Sequence, residues 1–393
     1  MKILHTSDWH LGHSLYNIDC TDDQQHMLSQ MAAIVRDHQP DLFLLSGDVY
    51  DTGQPSNAVQ TMLTRALVEI HNACPSMTIV MTAGNHDSGS KHEIFRIPWE
   101  ALNVYAIGQL DKENPDSHIV EVPGKGWVVA VPYANERNIP DGFFQQLLDR
   151  VAERNSQNLP VVMSAHTTVQ GCDFTGHDHA SETTVGGIDS VAVQQLGTGY
   201  DYLALGHIHH QQFIHTGLHN VRYCGTPIAV SFDENYPHSV SLVEIYAHGQ
   251  LPLGKEQVQM IELENLHPLV TLPVDGTASW DEALELLKNY PADIPAYIRL
   301  NVEVDDYLPA NAKETAAALT QGKQCCLCHI NARRRIEGQD RVRVMTVQEF
   351  KAEDPIAIAR LYAKEEGVVF DDDMEAMFKE VVALVAEEEN NNS

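Results

Sequence analysis

The first half of the chain alternates two spacings of apolar residues. The runs "KILH" at 2–5, "DLFLLSG" at 41–47 and "TIVMTAGN" at 78–85 are short, apolar and closed by turn residues, as strands covered on both faces are. Between them the spacing lengthens. Met27, Met31, Ile34 and Val35 mark one face of a helix that Pro40 stops, and Val59, Met62, Leu63, Ala66 and Ile70 mark a second helix over 57–74. Thr21 and Gln24 stand at the spacing of a capping box for the first helix. This β-α-β-α-β order predicts an α/β domain with right-handed crossovers, in which ligands bind at the loops beyond the carboxyl ends of the strands.

Chemistry collects at those ends. The first strand runs into Asp8 and His10, the second into Asp48 and Asp51, and the third into Asn85, His86 and Asp87. Farther on, "VVMSAH" ends at His166 and "YLALGHIHH" in His207 and His209. Carboxylates mixed with imidazoles suit manganese, iron or zinc, whereas magnesium or calcium would favour oxygen alone. The i, i+2 spacing of Asp8 with His10 and of His207 with His209 predicts extended segments that aim both side chains to one side. Asp48 has two oxygens and can bridge two ions about 3.5–4 Å apart. Glycines 47, 84 and 206 let the backbone turn beside these groups.

Composition narrows the setting. The chain has 393 residues, enough for one substantial core and a smaller one. No window reaches the ~18 uncharged apolar residues of a spanning helix, and the start lacks a secretion signal, so a soluble cytoplasmic protein is expected. Its seven cysteines are irregularly spaced and read as reduced thiols. Lys plus Arg number 25 against 55 Asp plus Glu, a net charge of −30, which argues against wrapping nucleic acid with the protein's own surface.

The second half reads differently. Residues 268–273, 296–304 and 324–330 look like strands, with "SWDEALELLKNY" and "ANAKETAAALTQ" as helices between them, a compact βαβαβ unit. "CCLCH" at 325–329 spells a covalent haem motif, but a buried strand bearing small thiols is the expected reading. His177 and His179 stand in a polar, Gly-flanked stretch expected to be a solvated loop. Arg333, Arg334, Arg335, Arg341 and Arg343 form the densest basic run, a candidate for phosphate contact or for a solvated stretch. Helical spacing returns over 346–365 and 371–387, where Met374, Met377, Phe378, Val381 and Val385 make an apolar stripe. No P-loop motif occurs.

Taken together, Asp8-x-His10, Gly47-Asp48-x-x-Asp51, Gly84-Asn85-His86-Asp87, His166 and Gly206-His207-x-His209 resemble the signature of calcineurin-like metallophosphoesterases. Within them, "HTSDWHLG", "GDVYDTGQP", "GNHDS", "LALGHIH" and "VRYCGTPIAVSFDE" are similar to the bacterial SbcD nuclease subunits. The resemblance implies an α/β fold: a layered metallophosphoesterase β-sandwich flanked by helices over 1–265, a small βαβαβ capping domain over 266–345, and a C-terminal helical ATPase-binding segment with a disordered tail over 346–393. It implies that Asp8, His10 and His209 hold one metal, that Asn85, His166 and His207 hold a second, and that Asp48 bridges them. His86 would then be the catalytic general acid, and Asp51, a histidine in many archaeal relatives, an acid that orients a ligand. The implied cofactors are two divalent metal ions, Mn2+ first among them. The implied activity is DNA phosphodiester hydrolysis in repair and recombination, exonucleolytic on double-stranded ends and endonucleolytic on hairpins and single strands. The implied partners are DNA and an SbcC-type ATPase, with a homodimer inside a heterotetramer, in a nucleoid-associated cytoplasmic setting. Residue spacing alone carries only a two-metal phosphoesterase. It leaves open a phosphatase or phosphodiesterase acting on small molecules or proteins, and a non-catalytic scaffold for the ATPase.

Overall fold

A computed structural model of the chain describes residues 1–176, 190–214, 219–250 and 253–334, together with Met374 and Phe378. Through Arg334 these residues form one compact unit. In chain order its strands and helices begin with β1 (Lys2–Thr6), the hairpin β2 (Ser14–Leu15) and β3 (Ile18–Asp19), α1 (Thr21–His38), β4 (Leu42–Ser46), α2 (Asn57–Ala73) and β5 (Thr78–Thr82). Next come α3 (Gly89–Ile94), α4 (Arg96–Glu100), β6 (Val104–Ile107), β7 (Ile119–Val122), β8 (Gly126–Ala130), α5 (Phe143–Arg154), β9 (Val161–His166) and β10 (Tyr202–Gly206). The series closes with β11 (Gln212–Phe213), β12 (Val221–Tyr223), β13 (Ser239–Glu244), β14 (Val258–Glu262), β15 (Leu269–Leu272), α6 (Trp280–Asn289), β16 (Ala296–Val304), α7 (Ala312–Ala318) and β17 (Cys325–Arg334).

Two six-stranded sheets, ordered β14-β13-β1-β4-β5-β6 and β11-β12-β10-β9-β8-β7, pack face to face. Strand periodicity sorts the side chains into layers. In β4, Leu42 and Leu44 enter the core between the sheets with Val128, Val162 and Ala204, while Phe43 and Leu45 face α1 and α2 with Met27, Met31 and Leu67. Sheet two does the same: Tyr202 and Ala204 turn inward, Leu203 and Leu205 outward against α5. The result is helix, sheet, sheet, helix, the layered sandwich expected. All five β4 residues are buried, which explains a continuous apolar run without alternation. Each such side chain contributes about 1.5–3 kcal/mol, and a charge at Leu44 would lie between two sheets without a partner.

The capping box expected at Thr21 and Gln24 does not form. Cys20 precedes α1 without a side-chain cap, and both the N–H and hydroxyl of Thr21 bond Asp19 instead. Gln24 turns away from the helix end because it is needed elsewhere: its Oε1 accepts from Gly12 N at 3.0 Å and its Nε2 donates to His10 O at 3.1 Å.

β15, β16 and β17 make a parallel three-stranded sheet with α6 and α7 on one face. Its other face meets the first part of the chain through Leu15, Cys20, Phe232, Tyr297 and Cys328, and Tyr16 stacks on His329 at 4.2 Å. The cysteines of "CCLCH" are free, and Cys325 and Cys328 are buried, each in a different core. Arg333 and Arg334 end β17, and Arg334 pairs with Asp306 at 3.6 Å. Arg335, Arg341 and Arg343, His177 and His179, and the helices expected over 346–365 and 371–387 lie outside the described residues, apart from Met374 and Phe378. Among the described residues no helix is long and apolar enough to cross a membrane.

Candidate metal centre

The strand-end loops are held together through their backbones. Asp8 N donates to Gly47 O at 3.0 Å, His10 N to Asp48 O at 3.1 Å and Leu11 N to Val49 O at 3.0 Å, which zips the loop after β1 to the loop after β4. Asp87 clamps the third loop onto the second: one carboxylate oxygen accepts from Val49 N and Gly84 N, the other from Tyr50 N. Across the two sheets, His207 N donates to the Asp8 carboxylate at 3.0 Å.

The expectation of extended Asp-x-His segments is not met. Asp8, His10 and Asp48 have φ of 53°, 43° and 46°, and His207 has φ of 94°. Non-glycine residues in the left-handed region cost on the order of 1–2 kcal/mol each, and they persist where surrounding bonds over-determine them. Here the zipped loops do so. Gly47 is left-handed as expected, at φ 87°, but Gly84 and Gly206 serve close approach rather than a turn. A Cβ on Gly84 would strike the Asp48 carboxylate.

Side-chain geometry follows from these loops. His166 Nδ1 donates to Ser46 O at 2.9 Å, which leaves its Nε2 bare beside Asn85 Oδ1 at 2.9 Å and Asp48 Oδ2 at 3.3 Å. His209 Nδ1 donates to the buried Glu234 at 2.8 Å, which leaves its Nε2 facing His10 Nε2 at 3.3 Å. His10 Nδ1 lies 3.5 Å from Asp51, and its Nε2 lies 3.8 Å from Asp48. His207 presents Nδ1 to Asn85 Oδ1 at 3.0 Å. His86, exposed at the mouth, donates from Nδ1 to Asp51 O at 2.9 Å, and its backbone N donates to Asp48 Oδ1 at 2.8 Å. Potential ligand atoms of Asp8, His10 and His209 fall within 4.8 Å of one another, as do those of Asp8, Asp48 and His166 and of His10, Asp48 and His86. All eight residues singled out in the sequence, Asp8, His10, Asp48, Asn85, His86, His166, His207 and His209, therefore share one cluster, and Asp51 lies against it.

The donor set fits divalent metal. His10 faces His209 and His166 faces Asn85 at hydrogen-bond distance, an arrangement that either a ring proton or a metal ion held between them satisfies. The surrounding acids draw positive charge into the cluster, carried by ring protons until a metal displaces them. Burial would push the imidazoles of His10 and His166 down, but Asp51, Asp48 and Asp8 around His10, and Asp48 and Asp8 around His166, raise each to about 9. Burial would likewise raise Asp48 and Asp51, yet the imidazoles against them, His166 first for Asp48 and His10 for Asp51, hold both well below the ordinary carboxylate range.

The sequence profile of the calcineurin-like phosphoesterases matches residues 1–211, which include every residue of the cluster. The chain is also 30% identical over 335 residues to the SbcD subunit of the SbcCD nuclease of Escherichia coli (strain K12), across 78% of this chain and 79% of that one. The chain belongs to the calcineurin-like phosphoesterases, in the SbcD branch. The Bacillus subtilis (strain 168) protein of the same name is 28% identical over 416 aligned positions, spanning 99% of this chain and 100% of its own length.

In this phosphoesterase the residues that sequence reading does not reach are those that aim the imidazoles. Glu234 and Ser46 fix which nitrogen of His209 and His166 faces the cluster, and such partners set ligand orientation and basicity in metal sites generally. Glu234 closes the stretch "VRYCGTPIAVSFDE", but nothing in the stretch itself points to His209. Asp87 is visible in the sequence as a strand-end acid, without its role as the clamp on loops two and three.

Proposed function

We propose that this SbcD-branch phosphoesterase is a two-metal DNA phosphodiesterase and the nuclease subunit of an SbcCD-type complex. The observation that carries the reading is the convergence of Asp8, His10, Asp48, Asn85, His166, His207 and His209, from five strand ends of two sheets, with ring nitrogens turned inward. Asp8, His10 and His209 would hold one ion, Asn85, His166 and His207 the other, and Asp48 would serve both. The mixture of nitrogen and oxygen donors suits manganese, iron or zinc, and the SbcD likeness puts Mn2+ first among them. When bound, the ions supply an activated water and the positive charge against which a phosphate builds negative charge.

The chain's own residues do the rest. His86 has its Nδ1 hydrogen tied to Asp51 O, so in the doubly protonated ring the Nε2 hydrogen is the one free to pass to a leaving oxygen, which leaves the ring neutral. Asp51 has a double role: its carboxylate faces His10 and His13, and its carbonyl holds His86. The substrate reading is DNA, cut exonucleolytically at double-stranded ends and endonucleolytically at hairpins and single strands. With a net charge of −30 the isolated chain would repel a polyanion, which is why an SbcC-type ATPase partner, two copies of each subunit together, is part of the proposal. Such a complex would reside on the nucleoid.

The test is to incubate the purified chain, with and without an SbcC-type ATPase, with a labelled DNA hairpin in Mn2+, Mg2+ or chelator. Cleavage that needs metal, is best in Mn2+ and gains ATP dependence with the partner is the expected result. Absence of cleavage under all conditions, with hydrolysis of a small phosphate ester retained, would overturn the DNA assignment.

A further inference from the structure

Two neighbouring pairs, Asp23-Gln24 and Asp233-Glu234, have the same arrangement. In each, the first residue holds the three-stranded sheet and the next holds a histidine of one metal position. Asp233 accepts from Arg299 of β16 at 2.8 Å, and Arg299 also lies over the Phe232 ring at 5.2 Å. Next to it in sequence, Glu234 receives the His209 Nδ1 hydrogen at 2.8 Å. On the opposite side, Asp23 accepts from the Tyr297 hydroxyl of β16 at 2.8 Å and from His267 N, just before β15, at 3.0 Å. Its neighbour Gln24 holds His10 O and Gly12 N. His10 and His209 then meet at 3.3 Å. His166 and Asn85, by contrast, are fixed within the two-sheet body, through Ser46 O and each other.

We propose that the three-stranded sheet is a positioning device for one of the two metals: its docking on Asp23 and Asp233 sets the orientation of His10 and His209, and so metal affinity at their position alone. The reasoning is geometric. Arg299 is nearly covered, at 11% side-chain exposure, and the Glu234 carboxylate is fully covered, so a shift of β16 that moves the 232–234 backbone pulls on the acceptor of His209 against its remaining hold on Val230 N at 3.1 Å. Movement at Tyr297 reaches His10 through Asp23 and its neighbour Gln24 in the first turn of α1. The coupling is reciprocal, because a metal that favours the docked arrangement must tighten docking by the same factor. Arg299 and Tyr297 touch no reacting group and are positioning residues. The inference rests on the two-metal reading above.

The experiment measures Mn2+ binding to the full chain, by calorimetry and by the electron paramagnetic resonance of free Mn2+, for the wild type, Arg299→Ala, Tyr297→Phe and Lys288→Ala. Lys288 pairs with Glu285 on the exposed face of α6 and serves as control. The wild type and Lys288→Ala should each bind two ions and match one another in both affinities. Arg299→Ala should weaken one ion by about tenfold, the scale of losing an orienting partner, and leave the other unchanged. Tyr297→Phe, which removes only a hydroxyl and keeps the fold, should weaken the same ion severalfold. Conversely, saturating Mn2+ should slow hydrogen exchange in β15 and β16 of the wild type. Two ions bound with wild-type affinities by both variants, or both ions weakened equally, would overturn the coupling. A wild type that binds no pair of ions would instead overturn the two-metal reading beneath it.

Discussion

Nε2 of His10 stands 3.3 Å from Nε2 of His209, and each ring's other nitrogen is turned to an acid, Asp51 and Glu234 respectively. A metal ion at this position would take the place of the ring proton that otherwise links the two nitrogens, and a metal bound only by the folded chain adds to its stability. At free Mn2+ 100 times its dissociation constant, each site should add about 2.7 kcal/mol to the folded state. Thermal melting with Mn2+ and with chelator checks this, and identical melting temperatures would refute a metal position there.

His86→Ala should lower DNA cleavage by roughly 100- to 10,000-fold, the usual worth of a positioned proton donor. Metal content should not change. The bond from His86 to Asp48 is made by the backbone N–H, which any side-chain substitution other than proline keeps. Cleavage measured beside metal stoichiometry separates the two roles, and loss of an ion in the variant would show that His86 is a ligand, as its closeness to His10 and Asp48 also permits.

What is legible in the sequence and what is not divide along a physical line. Asp8, Asp48, Asn85, His166 and His207 stand out because each ends or follows an apolar strand, and parallel strands bring their carboxyl ends together within each of the two sheets, whose packing then joins the two groups. The partners that aim them are hidden. Glu234 finds His209 and Tyr297 finds Asp23 only through tertiary packing, the latter across 274 positions. The left-handed backbone at Asp8 and His10 reads as extended because alternation in sequence cannot distinguish a strand from a loop forced into place by its neighbour's carbonyls. Gln24 misleads for the same reason, since a local cap competes with a distant loop that only the fold supplies.

Asp87 accepts three backbone N–H groups and is fully covered, with His92 Nε2 at 3.4 Å. Asp87→Ala would leave Val49, Tyr50 and Gly84 with buried, unpaired donors. Each costs about 1–3 kcal/mol, so a loss of at least roughly 3 kcal/mol is expected in denaturant unfolding, together with weakened Mn2+ binding as the second and third loops part. A loss below about 1 kcal/mol would mean that the clamp is dispensable.

His5, three residues before Asp8, is fully buried and bonds the Tyr202 hydroxyl at 2.9 Å between the two sheets. Burial, with the Arg222 charge nearby, pushes its imidazole down from 6.5 to about 3. The unfolded chain therefore binds a proton at this residue that the folded chain refuses between those two values. Stability is fully present above pH 6.5 and falls as pH drops toward 3. Between about pH 7 and pH 5 the loss from this one group is about 2 kcal/mol. His5→Gln keeps an acceptor for Tyr202 but cannot take up the proton. Urea unfolding of both proteins at about pH 7 and pH 5 should show the variant less stable than the wild type at neutral pH, with that difference shrinking by about 2 kcal/mol in acid. Parallel losses in the two proteins would mean that His5 is already charged in the fold, and that the interface between the sheets tolerates a cation it has no carboxylate to meet.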